Sequence, residues 1–236
     1  VKKRELMQKR KRNQKRCRVK MKLNKPLWVL TIACVLLTAC AAPNSHHIGK
    51  PDAGLFLDVP YSWSEINESL IKKAQSGWQV DQAGNALYNA MTWQNVWVAD
   101  STVTVGDVFS NRALEQPYVY AMARQLYDGE KSAISSDLLT ALQDVVMPAS
   151  SAKTGDGLTV MSNSTVALQQ HDGVSQAFRW KTDGIEQELK NLIVLSKNRT
   201  TLYVVIARCS TTCMNTHRTV IDDIFQSVTI KEPNGV

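Results

Sequence analysis

Long hydrophobic runs, cysteine and histidine are all scarce in this 236-residue chain, and each scarcity excludes something. Beyond residue 42 no apolar run approaches the roughly 20 residues that span a bilayer, so nothing there reads as a transmembrane helix. Of five cysteines, only Cys209 and Cys213 lie beyond Cys40. Two cysteines cannot staple a disulfide-framework domain, and with His217 as their one neighbouring imidazole they offer three ligands at best, too few for a structural zinc site. His46 and His47 adjoin in a polar stretch that reads as solvated, and His171 sits in a turn-like His-Asp-Gly. There is no H-E-x-x-H, no G-x-S-x-G elbow and no Walker loop, and Gly155-Asp156-Gly157 is too short to cradle a phosphate. No catalytic residues, metal ligands or cofactor are therefore assigned. Asp222-Asp223 and the pair Glu186/Glu188 read as solvated carboxylates. An i, i+2 spacing on a strand gives the last pair only a loose likeness to a glycosidase dyad.

What the chain does have is a charged and then apolar N-terminus. Residues 1–39 carry 13 of the 28 Lys and Arg side chains and one acid, Glu5, so the overall +7 belongs to that segment. From Cys40 onward 15 basic side chains face 20 acidic ones, which excludes the basic footprint of a nucleic-acid-binding domain. The basic stretch is followed by apolar Pro26–Ala39 and by Leu37-Thr38-Ala39-Cys40. Basic, apolar, then small residues is the pattern of an export signal. Residues from Met21 to Cys40 make a complete signal, so Met21 reads as the start of translation, with a true basic extension over 1–20 as the alternative.

Leu37-Thr38-Ala39-Cys40 resembles the lipobox of bacterial lipoproteins. The resemblance implies cleavage before Cys40, lipid on the Cys40 sulfur and attachment to the cell membrane on its extracytoplasmic face, or to an outer membrane where the envelope has one. Diacylglyceryl and a further acyl chain such as palmitate would supply the several chains that stable anchoring needs. An oxidising exterior permits a Cys209–Cys213 bridge, with two free thiols as the alternative. C-x-x-x-C spacing is not the redox C-x-x-C motif. Cys213 and His217 at i, i+4 would be an activated thiolate only if Cys213 were free.

Residues 40–53 are small and polar and read as a flexible tether. Residues 54–232 amount to a single globular domain, and 233–236 to a tail. Gly54–Pro60 alternates as a strand. Ser62 with Glu65 suggests a capping box that opens a helix over 63–74. Trp78–Val80 and Trp93–Ala99 read as strands and 100–115 as a loop; Pro117–Leu126 reads as a strand on its aromatic and β-branched content, with the helical stripe Val119, Met122, Ala123 and Leu126 as the alternative. A helix opens at Ser135/Ser136 and stops at Pro148, and 149–157 reads as a loop. Thr165–Gln169, Gln176–Thr182, Gln187–Ser196 and Thr200–Arg208 follow as strands, with Asp183-Gly184 as a type I′ hairpin turn and Asn198-Arg199 as a second turn. The apolar run Leu202–Ala207 suits a central strand covered on both faces. A helix carrying Val220, Ile221, Ile224 and Phe225 and a short strand Ser227–Ile230 close the chain. Strands in a row with flanking helices predict an α+β fold, an antiparallel sheet flanked by helices.

Phe56-Leu57-Asp58-Val59-Pro60 with Trp63, Pro117–Leu126, Leu138-Leu139, the meander Phe178–Ile206 and the terminal Thr219–Ile230 resemble the PsbP-like fold, and within it actinobacterial lipoproteins of the LpqN/LpqT type. The resemblance implies an α/β/α sandwich that binds or scaffolds and brings no catalytic residues, so the chain is not read as an enzyme. Trp93, Trp97, Tyr118 and Tyr120 are the candidates for an aromatic ligand cleft, since exposed Trp and Tyr favour recognition, with core packing as the alternative for most aromatics in a domain of this size. The expected function is a lipid-anchored accessory module for an envelope lipid, glycan or protein partner, and not for nucleic acid. The alternative is an envelope hydrolase of a type the motifs do not reveal.

Overall fold

The structure, a computed structural model, describes residues 44–76, 90–133 and 157–232. The export segment with Cys40, the strand expected at Trp78–Val80, the helix expected from Ser135 with Leu138-Leu139, most of the 149–157 loop and the 233–236 tail lie outside the described residues.

The chain first makes a hairpin of β1 (Ser45–Lys50) and β2 (Leu55–Pro60), paired antiparallel from Ser45↔Pro60 to Lys50↔Leu55. This corrects the flexible tether expected over 40–53. His47 stacks on Phe56 with ring centroids 5.5 Å apart, and its Nδ1 lies 2.7 Å from the Asp58 carboxylate, so β2 supplies the partners that the polar sequence SHHIGK does not advertise. β2 alternates as expected, with Leu55, Leu57 and Val59 fully buried.

Next comes β3 (Ser64–Ile66), then helix α1 (Glu68–Gln75). The expected start at Ser62 is corrected by one turn. Asn67 is the N-cap, accepting the Leu70 N–H at 3.2 Å, and Trp63 is 8 % exposed in the core ahead of the helix. Glu65 instead accepts from Asn95 Nδ2 at 2.8 Å, which holds 64–66 as a strand against its neighbour. β4 (Met91–Val98) and β5 (Tyr118–Gln125) fall where expected. The intervening loop contains a short helix, α2 (Val105–Val108), closed by a Thr104/Asp107 capping box. α3 (Asp128–Ala133) follows β5.

A meander completes the fold: β6 (Thr159–Leu168), β7 (His171–Thr182), β8 (Ile185–Leu195), β9 (Thr201–Ser210), helix α4 (Thr211–Ser227) and β10 (Thr229–Ile230). Asp183 and Gly184 both have positive φ, 51° and 78°, as a type I′ turn demands. Arg199 turns the next hairpin at φ 56°. The turn before β7 uses Gln169 and Gln170 at positive φ, so His171 lies on a strand, 4 % exposed, and not in a turn.

Seven strands run β3-β4-β5-β9-β8-β7-β6, and β1-β2-β10 form a small second sheet; every pairing is antiparallel. β9 sits between β5 and β8 and is buried from Leu202 to Ser210, as its continuous apolar run implied. One face of the large sheet packs Trp97, Ala121 and Val205 against α4 and the small sheet, through Ile221, Ile224, Phe225 and Leu57. The other face packs Tyr120, Phe178, Val204 and Ile206 with Ile71 of α1 and Val108 of α2. This is the expected α+β architecture, an antiparallel sheet flanked by helices. No helix among the described residues is long and apolar enough to cross a membrane.

Candidate functional site

The four aromatics expected to line a cleft do not meet. Val96 pairs with Tyr120 and Trp97 with Val119, so the strand alternation sends Trp93 and Trp97 to one face of the sheet and Tyr118 and Tyr120 to the other. All four are buried. The two indoles pack with centroids 6.2 Å apart. Tyr118 donates to the Val108 carbonyl at 3.3 Å, and Tyr120 donates to Gln94 Oε1 at 3.1 Å. These are buried core side chains, and the two tyrosine hydroxyls have protein partners.

The acidic pairs are likewise occupied. Glu188 is the buried member of an ion cluster, 2.8 Å from Arg179 Nη2 and 3.7 Å from Arg218 Nη2. Glu186 reaches Arg179 Nε at 3.6 Å. The hydrogen bond to Glu188 raises the Arg179 pKa above its already high ordinary value. Asp222 is 2.6 Å from Lys190 Nζ. A glycosidase-like dyad needs one carboxyl pushed toward neutrality. Both carboxylates are instead engaged by arginine.

Two polar clefts open at opposite ends of β9. The first, about 600 Å³, lies over the start of α4 and is lined by Glu186, Ser210, Thr211, Cys213, Thr216 and His217. Ser210 is the N-cap and accepts the Cys213 N–H at 3.2 Å. Thr211 donates to Glu186 Oε2 at 2.9 Å. Cys209 and Cys213 have their Cα atoms 5.9 Å apart and their sulfurs at bonding distance. Cys209 is fully buried, and Cys213 borders the cleft.

The second cleft, about 400 Å³, is ringed by Asp52, Gln125, Lys131, Ser196, Thr201 and Glu232, with Tyr203 beneath them. Tyr203 is 2 % exposed; burial, then the nearby Glu232 charge, pushes its phenol pKa above the ordinary value. The phenol therefore stays a neutral hydrogen-bonding group. The cleft edge is pre-shaped: Ser196 Oγ accepts the N–H groups of Thr200 and Thr201 at 3.0 and 2.9 Å, and Asn198 accepts the Thr200 hydroxyl at 2.6 Å. Hydroxyls, amides, two carboxylates (Asp52 and Glu232) and one ammonium (Lys131) suit a polar ligand, whereas an acyl chain needs apolar walls. Sequence reasoning missed this cleft because its residues come from chain positions 52 to 232 and share no local motif. Among the described residues, no group of three or more His, Cys, Asp or Glu side chains gathers as a metal site.

No protein-family model matches the sequence, and no curated protein matches it. Solved structures do. The solution structure of cyanobacterial PsbP (CyanoP) from Synechocystis sp. PCC 6803 superposes with a TM-score of 0.50 at 10 % identity, covering 83 % of this chain and 99 % of that one. The fold is PsbP-like. LpqN, involved in cell envelope biogenesis of Mycobacterium tuberculosis, aligns at 14 % identity and TM-score 0.46 over 79 % of this chain and 90 % of its own. The Ran-binding protein Mog1p of Saccharomyces cerevisiae aligns at 10 % identity and TM-score 0.44 over 80 % and 96 %. At 10 % identity the CyanoP likeness speaks for the fold alone, and function has to be argued from the site.

Proposed function

We propose that the chain is a lipid-anchored, extracytoplasmic binding module that presents its PsbP-like domain to a polar partner in the cell envelope, a glycan or a protein surface. The observation that carries this reading is Leu37-Thr38-Ala39-Cys40, at the end of an apolar segment preceded by the chain's basic residues. β1 starts at Ser45, which leaves residues 41–44 between the lipid-bearing Cys40 and the folded domain. Even fully extended, four residues reach only about 14 Å. Asn44 and Tyr61 mark the near end of the β1–β2 hairpin, joined by the Tyr61 N–H donating to the Asn44 carbonyl at 3.1 Å. Asp52, on the rim of the second cleft, lies in the turn at the other end, about 20 Å away along six strand residues. The polar lining of that cleft favours a glycan or protein group over a lipid tail.

The test is the intact mass of the protein purified from its native membrane. A mass equal to residues 40–236 plus acyl groups supports the anchor and the cleavage site together. An unlipidated mass that retains residues 1–39 overturns the reading. A second measurement addresses the cleft: soluble envelope glycans are titrated into the lipidated protein in detergent, and Lys131→Ala and Ser196→Ala weaken binding if the second cleft is the site.

A further inference from the structure

The large sheet treats its two edges differently. β3 is three residues long, and in the small sheet β10 has two while β1 has six that include Lys50 and two histidines. Short or charged edges of this kind are how proteins keep sheets from pairing with one another. β6, at the opposite edge of the large sheet, is ten residues long. Its sequence, TVMSNSTVAL, holds no charge and no proline, and residues 159 to 165 are all exposed. Val160 and Met161 are 54 % and 49 % exposed, two of the large apolar side chains that the fold leaves in solvent. Sequence pattern predicts a strand only from Thr165, so the first half, Thr159–Ser164, is strand because β7 pairs with it, from Thr159↔Arg179 to Leu168↔His171 with a bulge between Val160 and Ser162. Only its inner side is satisfied by that pairing; among the described residues no strand pairs with its outer side.

We propose that β6 is a dimerisation edge: two copies of the chain join β6 to β6 in antiparallel pairing about a two-fold axis, continuing the seven-stranded sheet across the interface. A second copy fits for three reasons. The strand is uncharged, so self-pairing sets no like charges opposite one another. A two-fold near the middle of the strand places the hydroxyl-bearing centre Ser162–Thr165 against itself, where Ser and Thr cross-strand pairs are favourable. The same axis brings the exposed apolar start of each strand, Val160 and Met161, toward the apolar end of its mate, where Val166 and Leu168 are partly buried and pack on the core. The assembly is closed, because an isologous contact uses the same patch on both copies and leaves only the three-residue β3 at the ends of the joined sheet. The interface is independent of the lipid anchor and of both clefts.

Sedimentation equilibrium of the full chain in density-matched detergent tests this. The expected result is a dimer whose dissociation constant rises at least tenfold in Ser162→Lys and in Ser164→Lys, with far-UV circular dichroism unchanged. A monomer at every loading concentration overturns the proposal, as does a dimer that both lysine variants leave intact. Where a lysine variant fails to fold, oxidative cross-linking of Asn163→Cys and Ser164→Cys decides. A cross-linked dimer that the parent chain does not give supports the β6 edge, and its absence from both variants overturns it.

Discussion

Arg124 is almost wholly buried, and both oxygens of the Glu130 carboxylate clasp its guanidinium, each at 2.8 Å. Glu130 Oε2 also accepts the Tyr127 N–H at 2.9 Å, so one carboxylate ties β5 to the first turn of α3. The Arg124 hydrogen bonds, opposed by desolvation and helped by the Tyr127 N–H, hold the Glu130 pKa below its ordinary 4.5. A depressed carboxyl stabilises the fold in its charged form. Its contribution is complete above about pH 4.5 and is lost as pH falls through the lower folded-state value. Removing one partner of a fully buried pair costs about 3–5 kcal/mol, but Glu130 is a third exposed and screened, so Glu130→Gln should cost about 1–2 kcal/mol at neutral pH. Melting temperatures across a pH series check this. The variant should melt lower at pH 7 and lose less than the parent on acidification; parallel curves would sink the assignment.

Trp93 and Trp97 are core side chains, and substitution should show it. Trp97 is fully inaccessible, and Trp93 is 6 % exposed against it. Truncating a buried Trp to Ala costs about 3–5 kcal/mol, a large share of a domain's total stability. Urea titration of each variant should show that loss. A variant of normal stability that had lost a ligand would restore the aromatic-cleft reading.

Which parts of this fold were legible in the sequence follows from how local their causes are. β2, β4, the meander from Gln176 and α4 announce themselves through apolar alternation or helical spacing, β5 only through its aromatic and β-branched content, and Asp183-Gly184 through the positive φ it must adopt. β1 and the first half of β6 are strands because a neighbour pairs with them, so their own polar residues give no signal. The α1 cap was misplaced at Ser62, since Asn67 is an equally good N-cap residue that the capping-box pattern passed over; the burial of Trp63 and the Glu65–Asn95 hydrogen bond decide for Asn67. The faces taken by Trp97 and Tyr120 depend on the pairing of β4 with β5, a register that local pattern does not carry. The second cleft is assembled from the ends of several elements, so its lining emerges only when β1–β2, β9 and the chain after β10 come together.

Gly54 is a backbone requirement. Its φ is +76°, and a Cβ there would stand 2.5 Å from the Lys231 carbonyl oxygen. The Lys231 N–H donates to the Gly54 carbonyl at 2.8 Å, so the turn after β1 seats the end of the chain. Gly54→Ala combines left-handed strain with a clash against backbone that cannot rotate away, and should cost on the order of 2–3 kcal/mol. Hydrogen exchange at Ile230 and Lys231 locates the damage. Those amides should exchange faster in the variant than the β8 and β9 amides do; uniform change across the sheet would mean that β10 is not seated through Gly54.

The Cys209–Cys213 pair joins the end of β9 to the first turn of α4. A bridged pair predicts a reductant-sensitive melt. The loop is only five residues long, so the chain-entropy contribution is about 2 kcal/mol at most, and the β9–α4 packing around Cys209 holds the fold without it. Reducing the protein should therefore lower its melting temperature by a few degrees without unfolding it at room temperature. The double variant Cys209→Ala with Cys213→Ala supplies the control, since it should melt near the reduced parent and ignore the reductant. If the reductant leaves the parent unmoved, both thiols are free. Cys213 would then be a thiol on the rim of the first cleft, one helical turn from His217, and the activated-thiolate chemistry that the bridge forecloses would become the next reading to test.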